Sequence, residues 1–165
     1  MTKIINSLII GICFCATAQG RVMKEYIITE TDVPTSYDPL EADQTQNLPV
    51  ARMIYHTPLE IDASDTISSE VLESFKYDKK TKTITWLAKK NINYSDGTNL
   101  TPEDIVFSIT RMLFTRPQFP VIESIEGKDE WLKTENPLST LPKGIRVNGN
   151  EISIKLTREY PHPLF

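Results

Sequence analysis

Few groups of side chains in this chain of 165 residues have the types and spacing needed for chemistry. Asp62, Asp65 and Glu70 come nearest to a metal site, because carboxylate oxygens are the ligands that hard cations prefer. Their spacing fits no calcium-binding loop, in which ligands recur at fixed short intervals. The sequence therefore predicts a charged surface turn at these residues and no bound metal.

Arrangements typical of catalysis are also missing from the sequence. The two histidines, His56 and His162, lie far apart. There is no Gly-rich phosphate loop, no Gly-x-Ser-x-Gly elbow and no His-Glu-x-x-His. The two cysteines, Cys13 and Cys15, lie in an N-terminal stretch that we expect to be removed. We therefore predict a protein that is not an enzyme and that carries no cofactor.

The overall composition excludes further classes of protein. Hydrophobic residues make up 39% of the chain and charged residues 24%, as in ordinary soluble domains, and the formal net charge is -4. Runs of basic residues reach only two, at Lys79-Lys80 and Lys89-Lys90. This balance is typical neither of a polytopic membrane protein nor of a nucleic-acid-binding protein.

The N-terminus has the pattern of a secretory signal peptide. Lys3 supplies a positive charge, residues 4–15 are mostly apolar, and Ala16-Thr17-Ala18 offers a cleavage site. We therefore expect cleavage after Ala18 and export to the periplasm, with an uncleaved anchor helix as the alternative. Since both cysteines precede the cleavage site, the exported part would have no disulfide and would depend on its hydrophobic core.

The elements that must position any functional residues include both strands and helices. The β-branched and aromatic residues of 25–29 predict a first strand, and residues 47–55 predict a short helix that opens with Asn and an early Pro. Residues 75–77 and 83–87 alternate between apolar and polar side chains on either side of a Lys-rich turn, which predicts a β-hairpin.

A turn followed by a helix start is the most informative local pattern. Asp96-Gly97 predicts a tight turn, because glycine adopts positive φ without steric cost. Thr101-Pro102-Glu103-Asp104 predicts a helix start, with Thr101 as the N-cap and Pro102 where no amide donor is needed. The apolar residues that follow recur at helical spacing, which predicts one buried helix face. They are Ile105, Val106, Ile109, Met112 and Leu113.

Residues 94–109, together with residues 71–75 and 86–88, resemble the N-terminal part of the family 5 extracellular solute-binding proteins. These are the oligopeptide- and dipeptide-binding proteins of ABC importers. The order of an aromatic residue, Asp-Gly-Thr and then Leu-Thr-x-Glu-Asp is the most specific part of this resemblance. Tyr37-Asp38-Pro39 resembles the family's early Leu-Asp-Pro, and residues 152–161 resemble its strand before the chain crosses between lobes.

The sequence departs from the family pattern at several places. Phe75 stands where the family usually has Trp. Asn91 stands where a glycine is common, which is a mild change because Asn also tolerates positive φ. Residues 127–143 resemble a loop that varies within the family. The largest departure is length, because family members are several times longer than this chain.

The resemblance implies the α/β class, as a mixed α+β lobe of a type II periplasmic binding protein-like clamshell, truncated in this chain. Residues 1–18 would be the signal peptide. Residues 19–165 would be the N-terminal part of the solute-binding domain, namely the first strand of lobe I and the adjoining α/β subdomain, with the second lobe absent. Such a chain is a fragment, the product of a frameshifted gene or a genuine short protein, and these alternatives stay open.

The resemblance also implies which residues would face a solute. The stretch after the Asp-Pro pair maps onto Asp43, Gln44 and Thr45, whose backbone could pair with an extended peptide. The Asp43 carboxylate could meet a ligand ammonium group, and a solvated loop acid is the alternative. Trp86, Ile84 and the helix face are expected in the core. The turn and helix-start residues are expected to be structural: Tyr94, Asp96, Gly97, Thr101, Pro102, Glu103 and Asp104.

Two functions from different classes remain open. The first is periplasmic binding of an oligopeptide or another small solute for an ABC permease of the inner membrane. The second is that of a non-transporting remnant, or a repurposed secreted domain of the same fold, which acts through protein contacts. A downstream reading frame that continues and encodes the missing lobes would favour the first. A stop followed by unrelated sequence would favour the second.

Overall fold

Alternating apolar and polar residues between 72 and 155 build a four-stranded sheet, against which an amphipathic helix packs. The computed structural model describes residues 36–41 and 47–161, so the expected signal peptide and first strand lie outside the described residues. In chain order the helices and strands are α1 (Asn47–Ile54), β1 (Glu60–Ile61), β2 (Ile67–Ser68), β3 (Leu72–Asp78), β4 (Thr83–Ala88), α2 (Pro102–Thr115), α3 (Lys128–Leu132), β5 (Ile145–Asn148) and β6 (Glu151–Lys155). None of the helices in these ranges is long and apolar enough to cross a bilayer.

The main sheet has the strand order β3-β4-β6-β5, and all neighbouring strands are antiparallel. Residues directly opposite each other in such a sheet share a face. One row across the four strands is apolar and contributes to the core: Tyr77, Ile84, Ile154 and Ile145. The adjacent row, on the other face, is polar: Lys76, Thr85, Ser153 and Arg146. The helices therefore have one apolar sheet face to pack against.

The predicted hairpin is confirmed as β3 and β4, and the strand that the family resemblance implies at residues 152–156 is present as β6. Asp78 closes the hairpin turn, since its carboxylate accepts hydrogen bonds from the Lys80 and Thr81 amides at 2.8 and 3.2 Å. The short helix that was predicted from residue 47 is also present, as α1. Asn91 has a φ of +61°, in the left-handed region that asparagine tolerates better than most residues, as the substitution of Asn for the family's glycine predicts.

The long helix α2 begins after Thr101 and buries the face that its sequence pattern predicts. Ile105, Val106 and Leu113 are buried, and Ile109 packs partly buried against the same core. Thr110 is also buried on this face, and its hydroxyl donates to the Phe107 carbonyl at 3.0 Å. That hydrogen bond inside the helix allows a polar side chain in an apolar environment.

The interpretation of residues 127–143 as a loop is wrong in part. The segment contains α3 and a single 3-10 turn at Pro137–Ser139. Trp131 of α3 is only 4% exposed, and its indole N–H donates to the Thr140 carbonyl at 3.0 Å. A helix of five residues is too short to show a helical period in the sequence. What holds α3 in position is the burial of Trp131.

Candidate functional site

Asp43, Gln44 and Thr45, the residues predicted to face a solute, lie outside the described residues. The structure does describe the chain immediately before them, residues 36–41, which we call the entry segment. Asp38 organises the turn in this segment. Its carboxylate accepts from the Leu40 amide at 3.0 Å, and its carbonyl accepts from the Glu41 amide at 3.0 Å. Asp38 thus holds the turn that ends at Glu41.

Arg111 of α2 binds the same Asp38 carboxylate with both ends of its guanidinium group. Nη1 donates to Oδ1 at 3.0 Å and Nη2 donates to Oδ2. The pKa of Asp38 is lowered, chiefly by the hydrogen bond from Arg111 and then by the bond from the Leu40 amide. Asp38 is therefore ionised at neutral pH, and the two-pronged geometry fixes the carboxylate in orientation as well as in place.

Arg116, just beyond the end of α2, holds the entry segment at a second point. Its Nη2 donates to the Leu40 carbonyl at 2.6 Å. The family resemblance points to Asp38, as part of Tyr37-Asp38-Pro39, but no sequence pattern predicts the role of either arginine. The helical spacing places Arg111 away from the buried face of α2. Nothing in the sequence of α2 indicates that its partner would be Asp38, 73 residues earlier.

Aromatic side chains flank the ion pair on the outer side of α2. Phe107 and Phe114 are 51% and 47% exposed, and they precede and follow Arg111 by about one helical turn. Tyr37, next to Asp38, is 59% exposed. The outer face of a surface helix is usually charged or polar. This face of α2 instead carries two large aromatic side chains beside the ion pair, together with exposed polar residues.

The Asp-Gly turn folds as the sequence predicts. The Gly97 amide donates to the Tyr94 carbonyl at 2.9 Å, and Gly97 has a φ of +89°. Asp96 accepts from the amide and the hydroxyl of Thr98 at 2.8 and 2.6 Å, and these bonds lower its pKa. Burial and the charges of Asp104 and Asp96 raise the pKa of Tyr94. The Asp96 carboxylate is occupied by hydrogen bonds within its own turn.

The start of α2 is capped reciprocally by Thr101 and Asp104. The Thr101 hydroxyl accepts from the Asp104 amide at 3.3 Å, and the Asp104 carboxylate accepts from the Thr101 amide at 2.8 Å. Pro102 is the first helical residue, where its missing donor costs nothing. The side chains of Thr101 and Asp104 therefore use their hydrogen-bonding groups on each other and on the free amides at the start of α2. This leaves them little capacity to bind a ligand.

The acidic residues considered as a metal site serve other contacts. The Asp62 carboxylate accepts from the Ser64 and Thr66 amides at 2.7 and 3.0 Å, as in an ordinary polar turn. Glu70 instead lies 3.3 Å from His56 Nδ1. Among the residues that the structure describes, no three His, Cys, Asp or Glu side chains are grouped so as to hold a metal ion.

A cleft of about 520 Å³ opens between α3 and residues 140–143, and no sequence pattern predicts it. Trp131 forms part of its wall, beside an ion pair of 2.9 Å between Lys143 Nζ and Glu126 Oε1. The contact with Lys143 lowers the pKa of Glu126. Gly127 has a φ of +80°, and a Cβ there would lie 2.7 Å from the Lys143 Cβ. The close approach of these two backbone segments requires a glycine.

The fold resembles that of many solved structures, of which three are described. The Escherichia coli murein tripeptide binding protein MppA matches 81% of this chain with a TM-score of 0.66 and 21% identity, over 27% of its own length. Haemophilus influenzae OppA in complex with RPPGFSPFR matches 79% of this chain with a TM-score of 0.64 and 19% identity, over 26% of its length. Brucella suis NikA in complex with Fe(III)-EDTA matches 80% with a TM-score of 0.57 and 17% identity, over 24% of its length.

These likenesses establish the fold class that the sequence predicts: a mixed helix and sheet lobe like those of periplasmic binding proteins. The described chain spans about a quarter of the length of the three proteins. No family model matches the sequence.

Proposed function

We propose that this chain forms the first part of a periplasmic solute-binding component of an ABC importer, with a peptide as its solute. One observation carries the proposal: about four fifths of the chain superposes on binding proteins such as MppA and OppA. The resemblance of the motif around Asp96-Gly97 and Thr101-Pro102 to family 5 solute-binding proteins supports it independently. The chain would bind solute and would carry out no chemical reaction.

Solute would be contacted by the residues that follow the entry segment. The backbone of Asp43, Gln44 and Thr45 would pair with an extended peptide, a mode of recognition that gives affinity without requiring one side-chain sequence. The Asp43 carboxylate would bind the peptide's ammonium group by a charge-assisted hydrogen bond. Arg111 and Arg116 support this assignment, because they hold the preceding residues in a defined turn.

Export and assembly complete the proposed role. Residues 1–18 would direct the chain to the periplasm and be removed there. A polypeptide with the remaining lobes of the fold would supply the wall opposite Asp43, so that solute is enclosed and desolvated. The assembled protein would deliver solute to an ABC permease in the inner membrane.

A second candidate function is supported by the exposed aromatic face of α2. Phe107 and Phe114 are half exposed on a helix face that would usually be polar. A non-transporting remnant, or a repurposed secreted domain of this fold, would use such a face for contact with another protein. This candidate requires no solute.

Peptides with free and acetylated N-termini distinguish the two candidates. We expect the protein completed from the downstream reading frame to bind a free short peptide with saturable heat in calorimetry, and to bind the acetylated peptide more weakly. Asp43→Asn should abolish that preference, whereas Asp65→Asn, which changes an exposed turn acid in the same way, should leave it intact. Equal binding of both peptides would remove Asp43 from the site, and no binding of either would favour the second candidate.

A further inference from the structure

The cleft between α3 and residues 140–143, which we call the α3 cleft, has walls that are held by hydrogen bonds within the fold. The Trp131 indole donates to the Thr140 carbonyl at 3.0 Å, which joins α3 to the opposite wall. The Gly144 amide donates to the Glu126 carbonyl at 2.7 Å. Its volume of about 520 Å³ lies in the range of small-molecule sites, which are usually formed before the ligand binds.

The uncharged side chains that line the α3 cleft have already used their hydrogen-bond donors. The Thr134 hydroxyl donates to the Trp131 carbonyl at 2.8 Å, and the Thr140 hydroxyl donates to the Pro137 carbonyl at 3.3 Å. The Trp131 indole N–H is bonded to Thr140. A threonine hydroxyl has one proton and two lone pairs, so both threonine side chains can only accept further hydrogen bonds. A ligand that matches them must therefore supply donors.

The charges that line the α3 cleft favour a cation. Lys143 Nζ lies 2.9 Å from Glu126 Oε1, so these two groups largely neutralise each other. Glu130 also lines the cleft and is exposed, and its carboxylate forms no ion pair or hydrogen bond with another residue that the structure describes. The charged side chains of the cleft thus sum to one negative charge. That charge is carried by a group that accepts hydrogen bonds.

We propose that the α3 cleft binds an organic cation that has a guanidinium or ammonium head group on an aliphatic stem. The head group donates to the Glu130 carboxylate by charge-assisted hydrogen bonds and to the hydroxyls of Thr134 and Thr140. The stem packs against Leu141, which is 45% exposed on the wall of the cleft. This site goes beyond the proposed function and includes none of the residues assigned there to the solute.

Tryptophan fluorescence of the 165-residue chain tests the proposal, because Trp131 lines the cleft. Trp86→Phe leaves Trp131 as the one tryptophan, and it removes an indole N–H that is buried without a partner. The probes are N-acetyl-arginine amide and N-acetyl-citrulline amide, which have nearly the same shape but differ in charge. We expect a saturable change with the arginine derivative and binding about tenfold weaker with the citrulline derivative.

Three variants in the same background test the role of each charge. Glu130→Gln should weaken binding of the arginine derivative about tenfold. Glu135→Gln is the matched control, because Glu135 is exposed nearby in the chain and does not line the cleft, so it should change nothing. Lys143→Gln releases the Glu126 carboxylate and should tighten binding, whereas a site for anions would lose affinity. All three side chains are exposed, and circular dichroism confirms that each variant folds.

A further comparison identifies the source of the cation. Equal affinity for butylguanidinium and for the arginine derivative would support a free small cation, and tighter binding of the arginine derivative would support an arginine side chain of another protein. Three results would overturn the proposal: no saturable change at millimolar concentration, equal binding of the citrulline derivative, or weaker binding to Lys143→Gln. Neither acetylated probe has a free N-terminal ammonium group, so these results do not depend on the proposed solute site.

Discussion

Arg111 and Asp38 lie 73 residues apart in the chain and form a two-pronged ion pair on the outer side of α2. The pair joins the entry segment to the helix that covers the sheet. It also connects the motif Tyr37-Asp38-Pro39 to Arg111, which no sequence pattern marks as a functional residue. The first prediction concerns the titration of this pair.

Asp38 should stabilise the fold only while it is ionised. Its pKa is lower in the folded chain, chiefly because of Arg111, so its contribution is present above about pH 4 and is lost as the pH falls through the folded value. We expect Asp38→Asn to lower the free energy of unfolding by on the order of 0.5 kcal/mol at pH 7, since both side chains are partly exposed. Urea unfolding at pH 7 and pH 3 measures this, and an equal effect at both pH values would contradict it.

Thr101→Ala should destabilise the chain through loss of the N-cap of α2. The hydroxyl that accepts from the Asp104 amide disappears, at a cost of about 1 kcal/mol. Thr115→Ala is the matched control, because that threonine is exposed at the other end of α2 and its hydroxyl donates to the Arg111 carbonyl within the same helix. Urea midpoints of the two variants give the comparison. Equal midpoints would mean that the cap contributes nothing.

Gly97→Ala should also destabilise the chain, for a backbone reason. Gly97 has a φ of +89°, and a Cβ there would have no atom within 4 Å, so the cost comes from conformation and not from a clash. We expect a loss of roughly 1 kcal/mol for Ala. Asn tolerates positive φ, so Gly97→Asn should lose less. If thermal unfolding shows the two variants equally destabilised, the turn does not depend on the sign of φ.

The elements predicted correctly are those specified by nearby residues. The hairpin of β3 and β4 follows from strict alternation, and the start of α2 follows from Thr101 and Asp104, which are three residues apart. By contrast, α3 is only five residues long, too short to show a helical period, and it depends on the burial of Trp131, whose indole donates to the Thr140 carbonyl. The pairing of Arg111 with Asp38 likewise exists only after α2 has packed. The assignment of Asp43, Gln44 and Thr45 depends on family resemblance, because their chemistry alone indicates no site.

Export should remove the first 18 residues of the chain, at the site that Ala16-Thr17-Ala18 offers. In a Gram-negative host, we expect the protein in the periplasmic fraction with Gln19 at its mature N-terminus. Mass spectrometry of the intact protein measures this. Ala18→Lys should block cleavage at this site, whereas Thr17→Ser should not. An intact Met1 end in the soluble fraction of cells that express the unchanged chain would contradict the assignment.

Solute binding should require more than residues 19–165. Under the proposed function, the wall opposite Asp43 would come from the remaining lobes of the fold. A peptide bound to residues 19–165 alone would then stay hydrated, and its contacts would remain weak. The half-exposed Phe107 and Phe114 should also lead the isolated chain to self-associate. Size-exclusion chromatography should therefore show oligomers.

The proposed binding of peptide is tested most directly by calorimetry, in which mixed short peptides are titrated into two samples. One sample is residues 19–165 alone, and the other is the same chain extended through the downstream reading frame. We predict no saturable heat at micromolar concentrations for the first and saturable heat for the second. A monomer of residues 19–165 that binds peptide at micromolar concentration would contradict the account. Downstream DNA that encodes no further lobe, or an extended protein that binds no peptide, would contradict it as well.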